Sequence, residues 1–169
     1  MPPRTEPPAS AKQLHTAATR DNALALLDDL LNDEKNLSKI LIIKSESKEL
    51  HRLVKEISET AANGAKLLKA MGGKDRVAAP QGLDLPPGES ATRAAITKTK
   101  SHSLLFSSGA EFEFQLLLTQ AQALGYGEHL AKVAAVNEPQ PERAREFTSL
   151  SVQMKQLYEQ VLAMLRKKG

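Results

Sequence analysis

From about Asp21 onward, apolar side chains return every three or four residues, the spacing that puts them on one face of a helix. Leu24, Leu27, Leu31 and Leu41, with Leu26, Leu30, Leu37 and Ile40 beside them, define a first helix ending near Lys44. "KSESKEL" then offers serines, good N-cap residues, ahead of a second series at Leu50, Leu53, Val54, Ile57, Ala61, Leu68 and Met71. No Gly or Pro enforces the break between the two. A hairpin is nevertheless preferred to one bent helix of about fifty residues, which would be unusual in a compact domain.

Gly72 and Gly73 stop the second series, and "KDRVAAPQGLDLPPG" reads as a connector because its prolines and glycines interrupt any regular ladder. Ser90 or Gly88 can cap an extra helix running to about Ser107, with a thin apolar face of Ala95, Ile96, Leu104, Leu105 and Phe106. After Gly109 a long helix follows, with Phe114, Leu117, Ala121 and Leu124 in register, Phe112 and Leu116 flanking, and Leu130, Val133 and Val136 beyond a "GYG" that could bend it. Pro141 suits the first turn of the last helix and Glu142 its dipole. There Phe147, Leu150, Met154, Leu157, Val161 and Met164 hold a/d spacing throughout, and "RKK" meets the negative end of the dipole.

No segment alternates as a strand does. The expected fold is an all-α antiparallel four-helix bundle with an extra helix between its second and third long helices. Two regions follow: a mobile Pro-rich arm over residues 1–20 and a helical domain over 21–169.

Composition narrows the chemistry. The chain of 169 residues has no cysteine, which removes disulfides, thiolate metal sites and cysteine nucleophiles. Lys and Arg number 23 against 20 Asp and Glu, and the two signs alternate instead of forming blocks. With four Phe, two Tyr and no Trp, stacking platforms for bases are few, and nucleic acid is not an expected partner. No apolar run reaches the ~18 residues of a membrane span. The opening "PPRTEPPASAK" lacks the apolar centre of a signal peptide, so the expectation from the chain as written is cytoplasmic.

The candidate metal ligands are Glu34, Glu111 and Glu113. A helix turns ~100° and rises 1.5 Å per residue, so Glu111 and Glu113 point about 200° apart and Glu128 and His129 about 100° apart. Glu111 and His129 share a face but stand roughly 27 Å from each other. Di-metal bundles grip their ions with Glu-x-x-His pairs, and none occurs here. Glu34 alone lies on the apolar register of its helix. In a hairpin centred near Ser45 it falls level with Lys55 and Glu56, so an ion pair with Lys55 is expected before ligation. His15, His102 and His129 read as ordinary tail or surface histidines, "LLFSSG" carries no nucleophile elbow, and there is no Gly-rich phosphate loop.

The order of these features, an inward Glu34, a serine-containing break, a Pro-rich connector with "LP", and "LLFSSGAEFE" opening a long helix, resembles a bacterial ferritin-like family of unknown function whose members are mostly exported. The resemblance spans Asp21 to Leu165. Its most specific piece is Gly109 with Phe112 and Glu113, similar to the family's Gly-x-x-Phe-Asp. It implies a ferritin-like fold and a periplasmic or envelope location. The family often carries an Asp-His in its second helix and a further His in its third; those places hold Thr60, Ala61 and Leu124 here.

The expected function is therefore a non-catalytic, cofactor-free bundle that acts by contact with a protein partner or its own copy, through the connector or an exposed helix face. One alternative keeps a reduced ferritin-like metal site around Glu34 with Glu111 or Glu113. Another reads "HRLVKEISETAANGAKLL" as a histidine phosphotransfer bundle, with His51 ahead of Lys55, although Glu56 stands where phosphate would lie.

Overall fold

The sequence "SAKQ" starts the first helix earlier than its apolar stripe does. In the computed structural model, which describes residues 10–39, 44, 47–71 and 87–169, the Ser10 Oγ accepts from the Gln13 amide at 3.3 Å. The Gln13 Oε1 in turn accepts from the Ser10 amide at 2.8 Å. This capping box satisfies two otherwise unpaired donors and launches α1, Ala11–Glu34. The expected arm therefore ends before Ala11, and 11–20 is helical; residues 1–9 lie outside the described residues.

α1 also stops sooner than its pattern suggests, at Glu34 instead of near Lys44. Around its end, Asn32 Nδ2 donates to the Asp28 carbonyl and Asn36 Nδ2 to the Asn32 carbonyl. Such side-chain bonds compete with the helical ladder. Leu37 in the following turn is buried, whereas 40–43, where the stripe was expected to continue, lie outside the described residues. Ser47 then accepts from the Leu50 amide at 3.3 Å and caps α2, Lys48–Met71, as the serine-rich break suggested. The Pro-rich connector falls within 72–86, also outside the described residues.

The remaining elements are α3 (Pro87–Phe106), α4 (Gly109–Val136) and α5 (Pro141–Lys168). Five helices and no strand occur among the described residues. Gly109 has φ +58°, a left-handed conformation that disfavours any side chain, and it lets the chain reverse between α3 and α4. "GYG" does not interrupt α4, which runs continuously through it. No described helix is long and apolar enough to cross a membrane.

Contacts fix the arrangement. Ser58 Oγ donates to the Glu34 carbonyl, and Leu31 lies against Gly64, so α1 and α2 are antiparallel neighbours. Arg143 reaches the Met71 carbonyl and Lys167 pairs with Glu49, which sets α5 antiparallel to α2. Ser151 bonds the Glu128 carbonyl at 3.0 Å and Lys168 pairs with Glu113, giving the same relation between α5 and α4. Leu30 meets Gly127, and Arg20 lies 4.0 Å from Glu138, so α4 closes the ring against α1. α3 lies outside the ring, antiparallel to α4, with Arg93 on Tyr126 and Leu104 against the core. The packing is consistent with a helix bundle.

All six residues of the α5 stripe are buried, and Phe147 and Val161 have no exposed surface. Each such side chain stabilises the fold by about 1.5–3 kcal/mol relative to an exposed position. In α4 the expected register holds through the centre, where Leu117, Ala121, Leu124 and Leu130 are buried, and departs from it at the two ends. Phe112 and Leu116 are core, whereas Phe114, Val133 and Val136 are exposed. The reason is that α4 contacts both α1 and α5 and fills the space between them with Ala131, Ala134 and Gly127, small residues that periodicity weighs lightly. The expected apolar face of α3 is mostly outside: Ile96, Leu105 and Phe106 are exposed.

Candidate functional site

Glu34 closes α1 where α2 and α4 come near it. Its Oε2 is shut off from solvent and has no hydrogen-bond partner. Gln120 of α4, itself buried, acts on the Glu34 carboxyl, while its own Oε1 lacks a donor. Lys100 of α3 supplies the positive charge that acts on the pair. Burial is the dominant influence and pushes the Glu34 carboxyl up to about 7. The Gln120 bond opposes the rise, neighbouring Asp33 adds to it, and Lys100 opposes it. Asp33 is raised as well, through its own burial and Asp29. A carboxyl of this kind stores and releases a proton near neutral pH.

The expected ion pair of Glu34 with Lys55 does not form. Lys55 pairs with Glu59 on the exposed side of α2 at 3.8 Å, and Glu34 stands level with Ser58. The reason is the face of α2 that Lys55 occupies, which points to solvent, while Ser58 is the residue turned toward Glu34. The positive charge that acts on Glu34 is that of Lys100 on α3, which forms no ion pair with it.

The other carboxylates of the metal reading are kept apart from Glu34. Glu111 is exposed and accepts from Gln115 at 2.9 Å. Glu113 pairs with Lys168 at 2.5 Å. It shares a face with Gln120 but lies about 10 Å along the helix from it. Among the described residues, no three His, Asp or Glu side chains gather closely enough to hold an ion.

His51 is partly buried on α2, and the Lys55 that the phosphotransfer reading needs is engaged by Glu59. His129 Nδ1 lies 2.7 Å from the Gly125 carbonyl of its own helix, and His102 packs its ring on Phe106 at 4.4 Å between centroids. Ser107 Oγ is buried without a partner. Beside it, Lys44 Nζ donates to the carbonyls of Leu104, Leu105 and Ser107 at 2.7, 2.5 and 3.3 Å and sits 5.4 Å from the Phe112 ring centre. Three carbonyls occupy all three N–H bonds of that ammonium, which makes Lys44 a cap on the α3 C-terminus and not a base for the serine.

Gln120 and Lys100 escape a reading by motif. The one local signal is a glutamine inside the buried register of α4, four residues from both Leu116 and Leu124. No protein-family model, curated protein or solved structure matches this chain.

Proposed function

We propose that the protein is a non-catalytic helical bundle that works by contact, binding a second copy of itself or another protein through the outer face of α3. The observation that carries this reading is the exposure of large apolar side chains at the end of that helix: Leu105 is 65% exposed and Phe106 77%. Ile96 on the same helix is exposed too. Apolar groups held in water on an outlying element are the raw material of an interface.

Light scattering across a concentration series tests self-association, and crosslinking in the native host tests other partners. Replacement of Leu105 and Phe106 by Ser is expected to abolish the assembled species and leave the fold intact. A protein that stays monomeric at high concentration and yields no crosslink dependent on these two residues rules the reading out.

A ferritin-like topology is the finer reading of the fold. Its support is that α3 runs antiparallel to both α2 and α4, so it carries the chain along the bundle between two antiparallel pairs, α1–α2 and α4–α5. A single long crossover of this sort characterises ferritin-like bundles. An experimental structure with a different helix order would reject it.

A further inference from the structure

α4 is apolar on two sides. Its inner face fills the space between α1 and α5, yet Phe114, Leu118, Val133 and Val136 on its outer side are exposed as well. Glu111 and Lys132 are the only exposed acidic and basic residues of that helix. α5, of the same 28 residues, instead exposes Glu142, Arg145, Glu146, Lys155, Glu159 and Arg166. A helix that faces water normally keeps its outer side charged, as α5 does, and an outer side that is apolar and nearly free of charge belongs against another surface. At ~100° per residue, Phe114, Leu118, Gln122, His129, Val133 and Val136 fall within about 100° of one another and form a stripe about 33 Å long.

Two details say what covers that stripe. The first is charge. Glu111 lies in the first turn of α4 and Lys132 about 31 Å further along. A second α4 laid antiparallel on the first sets each Glu111 opposite the Lys132 of the other copy, the self-complementarity that a two-fold interface requires. The second detail is Gly125. A Cβ at Gly127 would collide with Met154, so the fold itself needs that glycine, whereas a Cβ at Gly125 would meet nothing nearer than Tyr158 Cε2 at 3.6 Å. Glycine weakens a helix interior, and packing within the chain gives no reason for one at 125. In the register set by Glu111 and Lys132, the position opposite Gly125 is Leu118 of the second copy.

We propose that the outer face of α4 is a two-fold self-association surface, on which α4 packs antiparallel against α4 of a second copy with Glu111 paired to Lys132 and Leu118 seated in the notch at Gly125. The same register puts Gln122 beside its own copy at the two-fold axis and Phe114 against His129. α3 ends where α4 begins, so the exposed Leu105 and Phe106 stand level with Val133 and Val136 of the second copy. The pairing rests on the contact reading and makes a second copy of this chain its partner.

Light scattering across a concentration series gives the dimer dissociation constant, and circular dichroism checks that each variant keeps its helices. Glu111→Lys or Lys132→Glu alone is expected to weaken the dimer about tenfold, because each creates like-charge contacts at both ends of the interface, and the double exchange should restore most of that loss. Gly125→Leu, which fills the notch, should leave a helical monomer. The chain has no cysteine, so Gln122→Cys supplies a single thiol that a short bismaleimide should join to its own copy, whereas Ser149→Cys on the outer side of α5 should not be joined. A wild type that is monomeric at every concentration overturns the pairing, and so does a dimer that tolerates Gly125→Leu or both single charge exchanges. If such a dimer is still lost on replacement of Leu105 and Phe106 by Ser, the contact reading stands and the α4 pairing alone falls.

Discussion

α5 and α3 are both long helices packed against α4, yet they are held by different physics. α5 presents an unbroken stripe from Phe147 to Met164 to the centre, and its polar links, such as Ser151 to the Glu128 carbonyl, supplement a dry seam. α3 has Leu104 against the core and depends otherwise on Lys44 and Arg93. Apolar seams are insensitive to salt and pH, whereas contacts made by cations at a partly wet surface respond to both. One side of α4 is therefore a permanent joint, and the other an adjustable one.

The comparison breaks most sharply at two phenylalanines. Phe147→Ala is expected to cost about 3–5 kcal/mol in urea unfolding, and Phe106→Ala less than about 0.5 kcal/mol. Equal losses would mean that α3 is as deeply integrated as α5.

Next in size is the pH dependence at Glu34. Its folded-state carboxyl titrates at about 7, above the ordinary 4.5, so the folded protein binds the proton more tightly than the unfolded chain. The resulting stability is fully present below about pH 4.5 and is lost as pH rises to about 7, by at most about 3 kcal/mol. Denaturation midpoints of wild type and Glu34→Gln should differ in slope within that window and run parallel both below and above it. Parallel curves throughout would remove Glu34 as the source.

A smaller effect sharpens the permanent side. A Cβ at Gly127 would collide with Met154 Cε and lie 2.9 Å from Leu30 Cδ2, so Gly127→Ala should destabilise by about 1–3 kcal/mol despite the better helix propensity of alanine. A gain in melting temperature would show that the Met154 side chain moves aside freely. The smallest effect belongs to the adjustable side. Lys44→Met should weaken the α3 C-terminus by about 1 kcal/mol, seen as faster exchange near Phe106 with the global unfolding midpoint almost unchanged.

Helices with one clean stripe were legible in the sequence. α5 needed only its periodicity, and α2 its periodicity plus Ser47. α1 was misread at both ends because its limits are set by side-chain hydrogen bonds, Ser10 with Gln13 and Asn32 with Asp28, which leave no mark on an apolar pattern. α4 was read correctly at Leu117, Ala121, Leu124 and Leu130 and misread at its two ends, where glycine and alanine mark its closest approaches. Glu34 stood out as an inward carboxylate from spacing alone. Its surroundings did not, since residues 34, 100 and 120 belong to three helices and no local rule links them. The exposed end of α3 was hidden for the converse reason: Leu105 and Phe106 look like core residues until the neighbouring elements are placed.

The short turn over 137–140 joins the two helices that depend on each other most. Their mutual contacts are close in sequence, whereas α1 must find α4 across a long stretch of chain. On a ribosome the first three helices emerge before the surface they cover has been synthesised. The growing polypeptide must keep leucines such as Leu27 and Leu31 from straying until the later hairpin appears, so early release of an incomplete chain carries the greatest risk of aggregation.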